Sequence, residues 1–323
     1  MLGPDSIVDC HRHLGGAISA DFVWEAIQAN GWHFLAESHE DVVESMTFAE
    51  DEKPNFHAFL RKFNILDHIR WTEELIDASI KQVCDDLIAE GVDYTWIRFS
   101  VNKYLTYIDW HRKDMIKFVR DRFNVHAPDR VGLVLAVKYE SERTNQKQLL
   151  SMIDDSGVAE SLVGIDLVGD ETFYDYKFYG SHFRKWAAAG KLLFAHVGES
   201  QPAENIMTAI MNLGVTEICH GIKALDGPNI IDYAIDNDVC FHMALTSNLL
   251  TGVVGDMAKH PIIDIIDSGV KTTIGTDDPV QCSTTMAAEY DLLKRALTDR
   301  YGAQHAERMV GIVAQTALDR ISI

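Results

Sequence analysis

Short runs of β-branched and apolar residues recur along the chain, separated by longer stretches with helical spacing. The runs predict strands at Ile7–Cys10, Tyr94–Ser100, Val131–Val137, Leu162–Val168, Leu192–Val197, Thr216–His220, Val239–Leu245 and Lys271–Thr276. Several, including VGLVLAV and LLFAHV, are apolar almost throughout. A strand buried on both faces reads this way, whereas a half-exposed one alternates. The stretches Glu73–Glu90, Asp109–Phe123, Gln146–Ile153, Ala203–Leu213, Ile230–Asp236 and Met286–Leu297 predict intervening helices. Eight such strands alternating with helices fit a (β/α)8 TIM barrel, with a doubly wound open sheet as the competing arrangement. The long excursion Asp21–Ile69 holds little strand signal and predicts a helical insertion over one end of the barrel. With no repeat, low-complexity tract or Pro/Gly linker, residues 1–323 are expected to form a single domain.

Composition narrows the function classes. Hydrophobic residues are 47% and charged residues 24%, an ordinary globular balance with material for one large core. The 29 Lys and Arg against 49 Asp and Glu leave a net charge of −20. That surface repels phosphate backbones and anionic lipid, so neither nucleic acid nor membrane is an expected partner. Five scattered cysteines (Cys10, Cys84, Cys219, Cys240, Cys282) form no C-x-x-C pair and read as reduced thiols. MLGPDSIVDCH lacks a basic then apolar leader, and Val131–Val137 is too short to span a bilayer. A cytoplasmic protein is expected.

In parallel barrels the functional groups gather at the C-terminal ends of strands, where the loops converge on one mouth. The first strand ends in Asp9-Cys10-His11-Arg12-His13. Residues i and i+2 of an extended segment share a side, so His11 and His13 address one point while Arg12 points away into an ion pair. In a chain with 14 histidines such a pair arises by chance about half the time, so alone it carries little. The fifth strand, however, ends in His196-Val197-Gly198-Glu199, the sixth in His220-Gly221, and the eighth in Thr276-Asp277-Asp278-Pro279. One such residue could be a core histidine or a helix cap. Four strand ends loaded with imidazole and carboxylate are not explained that way, because these groups are costly to leave at a buried mouth.

Three imidazoles and one carboxylate suit Zn²⁺, which takes N and O ligands and keeps a position open for water in catalytic sites. His11, His13, His196 and Asp277 are therefore the expected ligands of one Zn²⁺ ion per chain. His220 and Glu199 remain for proton transfer. The zinc deaminases built on H-x-E with P-C-x-x-C are excluded, since no C-x-x-C exists here.

HRHLGGA, FLRKF, IDLVGDE, HVGE, CHG, TSN and TDDP, spread in that order over nearly the whole chain, resemble the adenosine deaminase family of the amidohydrolase superfamily. The resemblance implies hydrolytic deamination of a small-molecule purine nucleoside or base by a one-zinc barrel. It implies that Glu199 protonates purine N1, that His220 orients or deprotonates the attacking water, and that Asp278 pairs on the N7 side. It also implies that the Gly169 backbone N–H meets N3, and that Phe59, Leu60 and Phe63 line the entrance over the sugar. Two-metal relatives in the superfamily use a lysine at the fourth strand, where this chain reads Asp166-Leu167-Val168-Gly169.

One position departs from the pattern. The family usually carries Asp two residues after the second histidine, holding the ribose 5′-hydroxyl, and this chain has Gly15. Glycine cannot accept that bond, which relaxes or redirects recognition at the sugar end. Adenosine and 2′-deoxyadenosine lead, with adenine, a modified adenosine or another C–N substrate of the superfamily as alternatives. Ser247 and Asn248 read most simply as loop hydrogen-bonding residues. The six tryptophans read as core, His242 lacks a partner motif, and Cys10 and Cys219 read as small buried hydrophobes.

Overall fold

The computed structural model describes residues 2–3, 5–49 and 51–322. The apolar runs become β1 (Ile7–His13), β2 (Val92–Phe99), β3 (Val131–Lys138), β4 (Gly164–Val168), β5 (Leu192–Val197), β6 (Glu217–His220), β7 (Cys240–Met243) and β8 (Lys271–Ile274). They pair in sequence order, every neighbour parallel. The sheet closes where β1 meets the segment after β8. There the His13 N–H donates to the Asp277 carbonyl at 2.8 Å, and the Asp277 N–H donates to the His11 carbonyl at 2.6 Å. The architecture is the (β/α)8 barrel that the alternation predicts.

The first strand runs beyond Cys10 through His13, because its end pairs on both sides, with β2 and with Asp277. The stretch Ala203–Leu213 splits into an α-helix, Glu204–Thr208, and a π-turn, Ala209–Leu213. Two further long helices lacked a prediction. Tyr176–Ala188 is rich in aromatics that favour strands in isolation, yet it buries Tyr179, Phe183 and Trp186 against the barrel. Ala303–Ile321 packs Ala306, Met309 and Val313 inward and sends Arg320 beneath the barrel to Glu217.

The excursion between β1 and β2 is helical, as expected, with helices Ala20–Asn30, His39–Met46, Phe56–Arg61 and Asn64–His68. Ser19, Ser38 and Asn55 cap the first three, each accepting from a backbone N–H of the opening turn. Phe59 packs its ring 6.1 Å from those of both Phe48 and Phe63, so the insertion presents an apolar underside to the barrel mouth.

Inside the barrel, Cys10, Trp96, Val134, Phe194 and Cys219 form a small apolar layer beneath the mouth. Arg98 crosses above it, donating to Asp166 at 2.9 Å with both side chains fully buried. His242 is not idle, as its isolation in the sequence suggested. It bridges Glu217 and Thr273, at 2.7 Å each, in the barrel floor.

Candidate metal centre and active site

The strand ends singled out in the sequence surround one cavity of about 360 Å³, lined by His13, His196, Glu199, His220, Asp277 and Asp278 among others. His11 lies fully buried at its base. Strand parity places His11 and His13 together, while Arg12 turns away to ion-pair with Asp9 at 2.9 Å and Glu90 at 2.8 Å.

The His196 Nε2 lies 3.1 Å from His11 Nε2 and 3.2 Å from His13 Nε2. Asp277 Oδ1 lies 3.3 Å from His11 Nε2 and 3.2 Å from His13 Nε2. Donors at zinc-bond length on tetrahedral corners stand about 3.3 Å apart, so these separations are those of one ion's coordination shell. His220 also falls in a donor group with His11, His196 and Asp277, all within 4.8 Å of one another. It stands farther from Asp277, however, at 3.8 Å against 3.2 Å for His13. His13 thus lies closer to Asp277 than His220 does.

The outer nitrogens of His11 and His196 are accounted for. His196 Nδ1 meets Asp166 Oδ1 at 3.1 Å, and His11 Nδ1 lies 3.4 Å from the His242 carbonyl. With Nδ1–H donating outward, each Nε2 lone pair is left facing the centre. Burial holds the His11 imidazole neutral, far below its usual range. Burial would raise the Asp277 pKa, but contact with the surrounding imidazoles outweighs it and holds the carboxyl well below the usual carboxylate range, so it stays ionised. Neutral imidazoles and a carboxylate are the forms that bind a divalent ion, so the residues fit zinc.

Two of these residues carry strained backbone. His220 has φ 63° and Asp277 φ 59°, in the left-handed region that costs a non-glycine about 1 kcal/mol. The two closure bonds between β1 and Asp277 hold the second of them.

Glu199 is buried, with its Oε2 3.7 Å from His220 Nε2. Burial first, then the charges of Asp277, Glu171 and Asp278, raise its pKa well above the carboxylate range. Its backbone is fixed from below: the N–H groups of Gly198, Glu199 and Ser200 all donate to the Glu171 carboxylate at 2.8–2.9 Å. Asp278 is raised likewise, by burial and then by Asp277, and its Oδ1 is buried without a partner. Gly169 lines the cavity at φ 93°, a backbone conformation that disfavours any side chain. Phe59, Leu60 and Phe63 reach the same cavity from the insertion.

Asn248 does more than brace a loop. The Ile262 backbone N–H donates to His260 Nδ1 at 3.1 Å, so neutral His260 carries its proton on Nε2. Burial pushes the His260 pKa down to about 3, which makes the neutral form the relevant one. His260 Nε2–H then donates to Asn248 Oδ1 at 3.2 Å, and Asn248 Nδ2 donates to His220 Nδ1 at 3.0 Å. His220, held near a pKa of about 3 by burial, is neutral too. Its proton therefore sits on Nε2, facing the cavity. The TSN motif pointed at Asn248, but nothing in the sequence pointed at His260.

A family model described as adenosine deaminase matches residues 7–310 of the chain. The chain is 27% identical to the adenosine deaminase of Shewanella denitrificans over 89% of its own length and 87% of that protein's. Among solved structures, adenine deaminase from Arthrobacter aurescens superimposes with a TM-score of 0.80 at 17% identity, covering 98% of this chain and 99% of the other. An amidohydrolase from Burkholderia ambifaria with bound zinc gives 0.77 at 17% identity, covering 97% and 93%.

Proposed function

The chain belongs to the adenosine deaminase family and is a hydrolytic deaminase, and on that premise we propose that it uses one zinc ion to convert an aminopurine to its 6-oxo product with release of ammonia. Adenosine and 2′-deoxyadenosine are the leading substrates, and free adenine or a modified adenosine is the alternative that Gly15 keeps in play. The observation that carries the reading is the convergence of four donors at 3.1–3.3 Å beside a buried Glu199 whose pKa burial raises. All five cysteines are buried and free, which suits a reducing cytoplasm.

His11, His13, His196 and Asp277 would hold the zinc. When bound, the ion supplies a Lewis acid that brings water towards hydroxide near neutral pH. The protein's own groups do the rest. His220, with its proton fixed on Nε2, donates to the attacking oxygen and orients it towards C6; it orients rather than deprotonates. As C6 becomes tetrahedral, negative charge builds on N1, and Glu199 delivers its proton there. Asp278, its pKa raised by burial as that of Glu199 is, would donate to N7 in its acid form, and the Gly169 backbone N–H would meet N3. The C6 hydroxyl proton passes to the 6-amino group as the C6–N bond breaks, so ammonia leaves and the carbonyl forms, and Glu199 takes up a proton from water to reset.

The experiment is ammonia release by the zinc-loaded protein from adenosine, 2′-deoxyadenosine and adenine in parallel. Turnover of the nucleosides supports the leading substrates, and turnover of adenine alone shifts the reading to a base-specific pocket. No ammonia from these or from their 5′-phosphorylated forms overturns it. The tautomer relay has its own check: Asn248→Ala should lower kcat about 10–100-fold with zinc content and KM little changed. An unaltered kcat would mean that the His220 proton is placed by something else.

A further inference from the structure

Two ammonium groups in the cavity take no part in the chemistry above. Lys103, in the short helix Val101–Tyr104 after β2, puts Nζ 3.8 Å from where a side chain on Gly15 would begin. Its side chain is only 15% exposed, and its one ion-pair partner, Asp67 Oδ1 at 3.2 Å, sits on the rim with its side chain 52% exposed. An ammonium has three donors, and Asp67 occupies one of them. Lys138, the last residue of β3, lines the same cavity and makes no ion pair among the described residues. Its charge is one of those acting on Lys103. Glu140, close by, accepts the Asp170 N–H at 3.3 Å beside Gly169.

Gly15 matters because of this neighbour. A carboxylate at position 15 would lie against the Lys103 ammonium and use it up, whereas glycine leaves it open to the cavity. A carboxylate there accepts a hydroxyl proton; an ammonium donates to lone pairs and favours a formal negative charge. The polarity of this end of the pocket is inverted. The net charge of −20 opposes anions only at range, since charges beyond a Debye length of about 8 Å are screened. Two ammoniums lining a partly desolvated pocket act at contact.

We propose that Lys103 and Lys138 form an anion subsite at the Gly15 end of the cavity, so that the substrate is an aminopurine nucleoside carrying a negative charge on its sugar, as a phosphate monoester or a carboxylate. The inference rests on the aminopurine reading above and deepens it.

Binding of reaction products tests the subsite without turnover. Calorimetry on the zinc-loaded protein would compare inosine, inosine 5′-monophosphate and inosine bearing a 5′-carboxylate. At least one anionic ligand should bind about tenfold or more tightly than inosine, with an advantage that shrinks as salt is added. Which anion wins distinguishes phosphate from carboxylate. Lys103→Met should remove the advantage and leave inosine binding within about threefold. Gly15→Asp should remove it too, by pairing with Lys103 in place. If Lys103→Met fails to fold, Gly15→Asp and the exposed Lys138→Met carry the comparison. Inosine binding as tightly as both anions overturns the subsite. So does a Lys103→Met variant that weakens all three ligands alike, which would make the Lys103–Asp67 pair a latch for the insertion. Ammonia release decides the other question separately: turnover of adenosine without an anion preference sinks only the subsite. An anion preference without ammonia from any nucleoside or nucleotide sinks only the deamination.

Discussion

Replacing His196 with alanine should strip the zinc and take ammonia release to background. The expectation comes from the place of this side chain in the donor set. His196 Nε2 is the atom within 3.1–3.2 Å of two other imidazoles, and its Nδ1 is tied to the buried Asp166 carboxylate. Removing it takes one of the four proposed ligands and the group that Asp166 orients. Asp166 keeps its bond from Arg98 at 2.9 Å, and the Arg98 guanidinium keeps the Cys10 carbonyl at 2.7 Å, so the barrel should survive the change. Elemental analysis should find about one zinc per wild-type chain and almost none in the variant. Circular dichroism should find the same fold in both. A variant that still holds a full equivalent of zinc would remove His196 from the ligand set, and a metal-free wild type with full activity would end the zinc mechanism.

The barrel and the convergence of its candidate donors at one mouth were legible in the sequence for the same reason. Strands buried on both faces leave unbroken apolar runs, and a barrel puts its chemistry immediately after them. His196 and His220 could therefore be read off the ends of LLFAHV and EICH. What escaped was everything that depends on pairing across the chain. Asn248 is 28 residues from His220 and 12 from His260, and only the folded loop shows that one amide joins two imidazoles. Lys103 and Gly15 are neighbours solely because β1 and β2 end side by side. Glu171 sat in a motif already noticed, yet its role, collecting three backbone N–H groups under Glu199, is a matter of loop geometry. Local patterns specify elements, while the groups that aim the reacting residues come from other strands and carry no periodicity of their own.

Glu199→Gln should keep the zinc and lose about 10²–10⁴ of kcat, the range that general acid catalysis supplies. The substitution preserves shape and leaves the Glu171 bonds to the backbone of Gly198, Glu199 and Ser200 untouched, since none uses the Glu199 side chain. It removes only the transferable proton, and an amide cannot give one to N1. The same environment fixes the direction of the pH effect. Burial and neighbouring negative charge raise the Glu199 pKa, so the acid form persists to higher pH than in an ordinary carboxyl and is lost as pH rises through the raised value. Wild-type kcat should fall on the alkaline side, and the residual rate of the variant should lack that limb. Stability follows the same sign. A carboxyl raised in the folded state binds its proton more tightly there than when unfolded, so stability is lost as pH rises between the two values. At equal zinc content the glutamine variant should therefore melt no lower than wild type at neutral pH, and higher above it. A variant that turns over at the wild-type rate would take the proton-donor role away from Glu199. One that loses both zinc and rate would recast the residue as part of the metal site.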